Sequence, residues 1–387
     1  MKQCKICGGK KTKKIGELCS NMRIMGTSFN EGKCNIVSCE ECGFVYNQYE
    51  DADQKNFDDY YLSNNSKTVN YYDIFDDNIA DEYFEHIFKE IKEYIHPDSK
   101  IIDIAGGYGE FCAFLAAQGY TNVTLLEMKA ECVEYARSRG IEVKECNLFE
   151  VSSQSEKYDM VICSHDLEHF VDLDKAIEKI RILTKDNGKI FIEVPNISLY
   201  SELDRAPFHF LTYEHVCHFS EITIKNLATR WGLQMESLNT YVKCNDYPCI
   251  YGVFGLRDAA AKTAIVKDEI SSKAMSIYIN KCQKEIAQII DKYEKNQKAL
   301  ILWGIGASTA QLLNNNFDKC NVIQLVDVNP SRQGITFAVG NRVLTVEPPE
   351  KVTCEDATIF ILPTAYKGSI IESIRRLGFK NEIDCLK

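Results

Sequence analysis

The chain has 387 residues, 45% hydrophobic and 26% charged, a balance that supports buried cores without disulfide staples. Its 17 cysteines are an odd number on a long chain that opens MKQCKICGGKKTKK with no apolar leader, which argues against a secreted disulfide scaffold and for reduced thiols in the cytoplasm, some of them on a metal. A formal net charge of −11 disfavours nucleic acid as the main partner, and no run approaches about 18 apolar residues, so no membrane span is expected.

Residues 1–55 are rich in Cys, Gly, Lys and Asn and cannot build a large core alone. Two Cys-x-x-Cys pairs stand there, Cys4 with Cys7 and Cys39 with Cys42, each followed by a glycine, Gly8 or Gly43. Zinc takes four thiolates in a tetrahedron, and a two-residue spacer turns backbone amides toward the sulfurs. The glycine relieves crowding in that turn. The segment reads as a zinc module in which Cys4, Cys7, Cys39 and Cys42 form a closed, structural ligand set, with free or redox thiols as the alternative.

Residues 51–80 are acidic and aromatic, and over 80–95 the apolar Tyr83, Phe84, Ile87, Phe88, Ile91 and Ile95 recur at helical spacing, a helix that Pro97 is expected to end. From 100 to about 255, β-rich runs at 100–104, 122–127, 160–164 and 189–194 alternate with helical stretches such as 110–118 and 130–139. That alternation predicts a parallel sheet flanked by helices, and continuous apolar strands such as IIDIA and MVICS suit a sheet covered on both faces. Residues 257–298 contain no Pro or Gly and repeat apolar positions three and four apart from Val266, Ile270, Ala274 and Ile277 through Ile279, Cys282, Ile286 and Ile290, which predicts one or two long linking helices. From 299 to 387 the β–α pattern restarts as a second, smaller Rossmann-like unit.

Strand IIDIA runs into Gly106-Gly107-Tyr108-Gly109 and then a helix, with Asp103 near the strand end. A glycine turn at this place lets the backbone pass close to a ligand, and alone it reads equally as dinucleotide binding. The pattern Asp-x-Ala-x-Gly-x-Gly resembles the first motif of class I S-adenosylmethionine methyltransferases, with Ala105 where that family usually has glycine. The resemblance implies cofactor contacts from Asp103, Ala105, Gly107 and Gly109, from Glu127 and Met128 after the second strand (a carboxylate for the ribose hydroxyls), from Asn147 and Leu148 beside adenine, and from Ser164 on the site's floor. The domain reading is then a zinc module at 1–55, a methyltransferase domain at 56–256, a helical linker at 257–298 and a Rossmann-like C-terminal domain at 299–387. The expected fold is α/β, a class I Rossmann-like core with these two additions.

Five of the seven histidines fall in two stretches, His165-Asp166-Leu167-Glu168-His169 and the run from Phe208 to Ser220 that holds His209, Tyr213, Glu214, His215 and His218. Imidazole near its ordinary pKa suits proton transfer at neutral pH. The bland alternatives are a helix cap for Glu168-His169 and core packing for His218.

The whole order is similar to that of the nucleotide-sugar C-methyltransferases, and the run Trp303-Gly304-Ile305-Gly306 with Val326-Asp327-Val328-Asn329-Pro330 resembles that family's C-terminal domain. The family's Tyr-x-Glu-His segment reads here Thr212-Tyr213-Glu214-His215, with the tyrosine displaced by one position, and Tyr60 or Tyr61 matches an upstream tyrosine. The resemblance implies catalytic roles for His215, Glu214, His169 and Tyr213, S-adenosylmethionine and zinc as cofactors, and a nucleotide-linked keto-deoxysugar as the small-molecule substrate whose carbon is methylated through an enolate. Its phosphates would meet the helix start at 304–308. No nucleic-acid or membrane partner is expected, and a monomer is compatible with the sequence. An O- or N-methyltransferase on another sugar or small metabolite is the nearest rival; a zinc-ribbon RNA-modifying enzyme is set against the acidic charge.

Overall fold

The computed structural model describes residues 3–20, 32–48, 54–62, 77–243, 247–257, 264–362 and 367–386. Around the cysteine pairs the chain forms β1 (Thr12–Ser20), β2 (Gly32–Cys39) and β3 (Val45–Gln48), followed by two helices, α1 (Gln54–Leu62) and α2 (Asp77–Ile91). The central alternation follows as β4 (Ile101–Ile104), α3 (Glu110–Ala117), β5 (Val123–Glu127), α4 (Ala130–Ser138), β6 (Glu142–Glu145), β7 (Tyr158–Ser164), α5 (Leu173–Leu183) and β8 (Thr184–Pro195). Next come β9 (Cys217–His218), α6 (Glu221–Arg230), β10 (Leu233–Val242), β11 (Pro248–Leu256) and α7 (Ser271–Asn296). The last part holds β12 (Leu300–Trp303), α8 (Ala307–Asn314), β13 (Val322–Val326), β14 (Thr336–Val339), β15 (Arg342–Glu347), β16 (Thr358–Ile361), α9 (Lys367–Arg376) and β17 (Ile383–Cys385).

The chain divides into two compact units, one of Met1–Lys14, Val37–Tyr200 and Val216–Lys273, the other of Ile15–Ile36, Ser201–His215 and Ala274–Lys387. In the first, a seven-stranded sheet runs β10-β11-β8-β7-β4-β5-β6. The five strands from β6 to β8 are parallel, and β11 and β10 close the edge antiparallel. The order reverses at β4, so the carboxyl ends of β4, β5, β7 and β8 share one rim, which is where a doubly wound sheet binds its ligand. All four residues of β4 and all five of β5 are buried, as their apolar runs require. On α2 the predicted stripe Tyr83, Phe84, Ile87 and Ile91 packs into the core with Phe111, Ile162, Phe191 and Val253. The helix ends at Ile91, six residues ahead of Pro97, and Ile95 stays buried in the turns that follow. This is the expected Rossmann-like class, and the hairpin of β10 and β11 is an addition that the apolar runs did not announce.

The second unit carries a six-stranded sheet, β14-β15-β13-β12-β16-β17, parallel except for β14. Its core joins Ile301, Trp303, Val326, Ile359, Ile361 and Ile374.

Among its described residues the linking segment carries one helix. Val266 and Ile270 precede it in irregular chain and are 60% and 55% exposed. The cause is Asp268, whose carboxylate accepts the Ile270 and Ser271 amides at 2.8 and 3.0 Å and the Ser271 hydroxyl at 2.6 Å, a cap that starts α7 at Ser271. The buried stripe is Met275, Tyr278, Ile279, Cys282, Ile286, Ile290 and Tyr293, and Ile277 faces solvent. Asp268→Ala is expected to cost about 1–2 kcal/mol of stability, read as a lower midpoint in urea unfolding; an unchanged midpoint would show that the cap is dispensable.

Candidate functional site

The cysteine cluster is built from two copies of one turn. The amides of Gly8 and Gly43 return to the carbonyls of Cys4 and Cys39, both at 2.8 Å, with the glycines at φ +76° and +82°. Each turn closes again five residues on, Cys4 N–H to Gly9 O and Cys39 N–H to Phe44 O. A Cβ on Gly43 would lie 1.8 Å from the Asp268 carbonyl oxygen, so only glycine fits. The four sulfurs of Cys4, Cys7, Cys39 and Cys42 all lie within 4.8 Å of one another. Four thiolates at about 2.3 Å from one zinc ion would stand about 3.8 Å apart, so the residues fit that ion. The Gly9 amide donates to Cys7 Sγ at 3.3 Å, and neighbouring thiols with the Cys42 and Glu41 amides hold Cys39 well below the usual thiol range.

The candidate cofactor cradle lies at the rim of the same unit. After β4 the backbone turns left-handed at Ala105 (φ +49°), Gly107 (+57°) and Gly109 (+74°). Gly106 is pressed on Asp103, whose Oδ2 lies 2.3 Å from where a Cβ would stand. Glu127 at the end of β5 ties the loop down: its Oε2 accepts the Gly107 amide at 3.1 Å and its Oε1 the Met128 and Lys129 amides, both at 2.8 Å. Three of the carboxylate's roughly four acceptor positions are thereby used, which leaves about one for a ligand hydroxyl. Burial raises Glu127 although those amides lower it. Burial, and then repulsion from Glu127, pushes Asp103 up to about 7; Asp166, buried beside Glu168 and Asp103, lies well above the carboxylate range. Such a crowd of buried carboxyls favours a cationic ligand.

Asn147 and Leu148 open a single 3₁₀ turn. Asn147 Oδ1 accepts the Phe149 amide at 3.0 Å, and the Asn147 amide donates to Glu150 at 3.3 Å, so the residue expected beside adenine caps this turn. Ser164 donates its hydroxyl to Glu193 Oε2 at 2.7 Å.

Beyond Ser164 the expected stretch from His165 to His169 joins a polar row whose other members, Glu193 and Lys243, spacing did not reveal. His165 is left-handed (φ +61°), a conformation costing about 1–3 kcal/mol that clusters at functional sites. Its Nδ1 lies 3.1 Å from Glu168 Oε1, and its Nε2 lies 2.7 Å from Lys243 Nζ. Glu168 is 1% exposed, and its Oε1 lies 3.9 Å from His169 Nε2. His169 Nδ1 meets the Tyr61 hydroxyl at 2.8 Å, which selects Tyr61 over the buried Tyr60 as the partner of that histidine. Helix α1 carrying Tyr61 is seated there by Gln54, whose Oε1 accepts the Val171 and Asp172 amides at 2.9 and 3.2 Å. Glu193 and Lys243 were missed by sequence reasoning. Glu193 stands one residue before the end of an otherwise apolar stretch of β8, and a carboxylate in such a run was the available signal; Lys243 has none.

The remaining candidates belong to the second unit. Tyr213 is buried, and burial, then Cys34 and Glu214, raise its phenol. Glu214 and His215 are half-buried, and the His215 amide donates to Thr212 Oγ1 at 3.4 Å. Burial and then Arg205 hold His209 down to about 4, so it stays neutral. In the first unit His218 is fully buried between Tyr200 and Asn47, and burial alone holds it to about 3, a packing role.

In the second unit Asp327 repeats the role of Glu127: it accepts the Ile305 amide of the Gly304 loop and the Asn329 amide, both at 2.8 Å, while Arg332 donates to the Ile305 carbonyl.

Residues 77–238 match a family model described as a methyltransferase domain. Over 119 residues the chain is 32% identical to a ubiquinone biosynthesis O-methyltransferase of Rickettsia felis, covering 29% of this chain and 48% of that one. The protein of the same description from Haemophilus ducreyi is 29% identical over 111 residues, 26% of this chain and 47% of that one. The chain thus spans about half the length of the curated relatives it matches. Among solved structures it is similar to magnesium protoporphyrin IX methyltransferase from Synechocystis, with 14% identity over 53% of this chain and 100% of that one and a TM-score of 0.41. It is also similar to an N-methyltransferase from Bradyrhizobium japonicum, with 14% identity, 47% and 99% coverage and a TM-score of 0.37. The central sheet is a class I Rossmann-like methyltransferase fold. Among the described residues no helix is long and apolar enough to cross a membrane.

Two outcomes follow from the cradle. Ala105→Gly is expected to raise stability by up to about 1 kcal/mol, since it removes a left-handed Cβ, and differential scanning calorimetry reads the rise. Asp103 binds its proton more tightly folded than unfolded, so its contribution is fully present below its ordinary 3.8 and is lost as pH rises through about 7. Urea titrations of wild type and Asp103→Asn are expected to diverge over that window by roughly 1.4 kcal/mol for each pH step of one, to the cost of the wild type. Parallel curves would show that Asp103 is not held neutral.

Proposed function

We propose that the chain is an S-adenosylmethionine-dependent methyltransferase that methylates the carbon next to the ketone of a nucleotide-linked keto-deoxysugar. The observation that carries the reading is the Tyr61–His169–Glu168 constellation, which directly follows the strand beside the Gly107–Glu127 cradle. When bound, S-adenosylmethionine supplies an electrophilic methyl group on a sulfonium. Asp103, Ala105, Gly107, Gly109, Glu127, Met128, Asn147, Leu148 and Ser164 are the residues proposed to hold it. Glu127 offers its remaining acceptor position to the ribose, and the buried carboxyls suit the cationic part.

A proton next to a ketone is acidic, so the protein has to remove it and stabilise the charge that develops. His215, oriented by Glu214, is the proposed proton acceptor; the C–H electron pair becomes the enolate, whose carbon takes the methyl group. His169 is the proposed donor to the enolate oxygen, oriented by Tyr61. Tyr213 is proposed to contact the substrate. These roles for Tyr213, Glu214 and His215 come from the resemblance of Thr212-Tyr213-Glu214-His215 to the Tyr-x-Glu-His segment of the nucleotide-sugar C-methyltransferases.

Zinc on Cys4, Cys7, Cys39 and Cys42 is proposed as a structural ion: four thiolates leave no open position for water or substrate. A second reading is O-methylation, which the names of the curated relatives favour; the same histidine would then deprotonate a hydroxyl.

Product NMR after incubation with ¹³C-methyl-labelled S-adenosylmethionine and a panel of nucleotide-linked keto sugars tests the choice. A new C–CH3 signal is expected; an O–CH3 signal would establish the second reading, and no product from any sugar would overturn the substrate class. His215→Asn is expected to lose roughly 100- to 10,000-fold in turnover with cofactor binding intact, and full turnover would remove His215 from the role of base. Metal analysis should find one zinc per chain, lost with Cys39→Ser together with a lower melting temperature; zinc retained by that variant would refute the ligand set.

A further inference from the structure

We propose that Lys243 and Glu193, acting through His165, form a positioning device that presents Glu168 to His169. The consequence for rate rests on the methyl-transfer reading; the geometry does not.

Glu193 is completely buried, and its Oε2 accepts from Ser164 Oγ at 2.7 Å and from Lys243 Nζ at 3.3 Å. Lys243 has a side chain only 4% exposed, and its ammonium also lies 3.8 Å from the centre of the Tyr83 ring. Burial would raise the Glu193 carboxyl, but the Lys243 ammonium, with help from the Ser164 hydroxyl, outweighs it and holds the group to about 2. A buried pair of this kind costs more in lost hydration than a surface pair and is weak evidence of a purely stabilising role.

The third partner of the ammonium is the informative one. Lys243 Nζ lies 2.7 Å from His165 Nε2. An ammonium has only donors, so Nε2 must accept, and the ring proton of neutral His165 resides on Nδ1. That N–H donates to Glu168 Oε1 at 3.1 Å. The left-handed backbone of His165 is held by its own amide, which donates to the Glu193 carbonyl at 2.8 Å. One buried pair thereby sets the ring's position and its tautomer.

Glu168 stands between two imidazoles. His165 donates to Oε1, and His169 Nε2 approaches the same oxygen at 3.9 Å, while Oε2 is buried with no hydrogen-bond partner among the described residues. With one donor fixed from the far side, the carboxylate is kept in place to stabilise charge on His169, whose other nitrogen faces Tyr61. His165, Glu193 and Cys249 also stand close enough for a metal ion. The ammonium lies against two of the three, however, and burial raises the Cys249 thiol, so Lys243 is itself the cation of that cluster.

The test uses the full chain with ¹⁵N-labelled histidine, the His165 signals being assigned by their loss in His165→Gln. Wild-type His165 is expected to carry its proton on Nδ1, with Nε2 bare. Lys243→Met should release that tautomer to Nε2–H or a mixture. It should also lower kcat about tenfold, a part of the roughly 100- to 10,000-fold contribution of proton transfer, while KM for S-adenosylmethionine stays within about twofold. A wild-type ring protonated at Nε2, or at both nitrogens, overturns the proposal, and this measurement decides even if Lys243→Met does not fold. A Lys243→Met variant that folds and keeps both the tautomer and kcat overturns it as well. Should no acceptor be turned over by the wild type, the methyl-transfer reading falls while the tautomer still reports on the device.

Discussion

Polar groups buried at the carboxyl rim of a parallel sheet have to satisfy one another, because both faces are covered and water is excluded. Four neighbouring strand ends bring Asp103, Glu127, Ser164 with His165, and Glu193 to that rim. Each meets the constraint differently. Glu127 takes three backbone amides, Glu193 takes an ammonium, and burial among other carboxyls pushes Asp103 and Asp166 above the usual carboxylate range. Carboxyl groups of one chemical type are thus shifted in opposite directions along one rim.

The backbone carries the cost. Ala105 and His165 are both left-handed without being glycine, and each sits where the chain leaves a strand for the rim. Glycine absorbs the same geometry at Gly107 and Gly109. The cysteine cluster follows a related rule on a smaller scale: backbone amides and glycines at positive φ gather four sulfurs into a sphere that suits one divalent ion. In the second unit Asp327 holds the Gly304 loop as Glu127 holds Gly107, so in both units a carboxylate ties down a glycine turn.

Most strands and helices were legible because burial on one or two faces imposes a period that survives in sequence. The strands predicted at 100–104 and 122–127 are observed within one residue, and the helices at 110–118 and 130–139 likewise. Where a single polar group outranks the period, the reading failed. Asp268 caps α7 at Ser271 and leaves Val266 and Ile270 outside the helix, although their spacing was helical. The edge hairpin of β10 and β11 was also unseen: the outer strand β10 is largely exposed and carries no continuous apolar run.

By itself the sequence determined the repeated Cys-x-x-Cys-Gly turns, the β–α alternation and the glycine loop with its acid one strand later. These are local patterns, in which spacing along the chain is already spacing in space. Only the tertiary structure decided that Tyr61 meets His169 across 108 residues, and that Lys243 meets His165 across 78 and Glu193 across 50. Those pairs are set by which strands lie side by side and by the need to match every buried charge, and neither condition leaves a period in the chain.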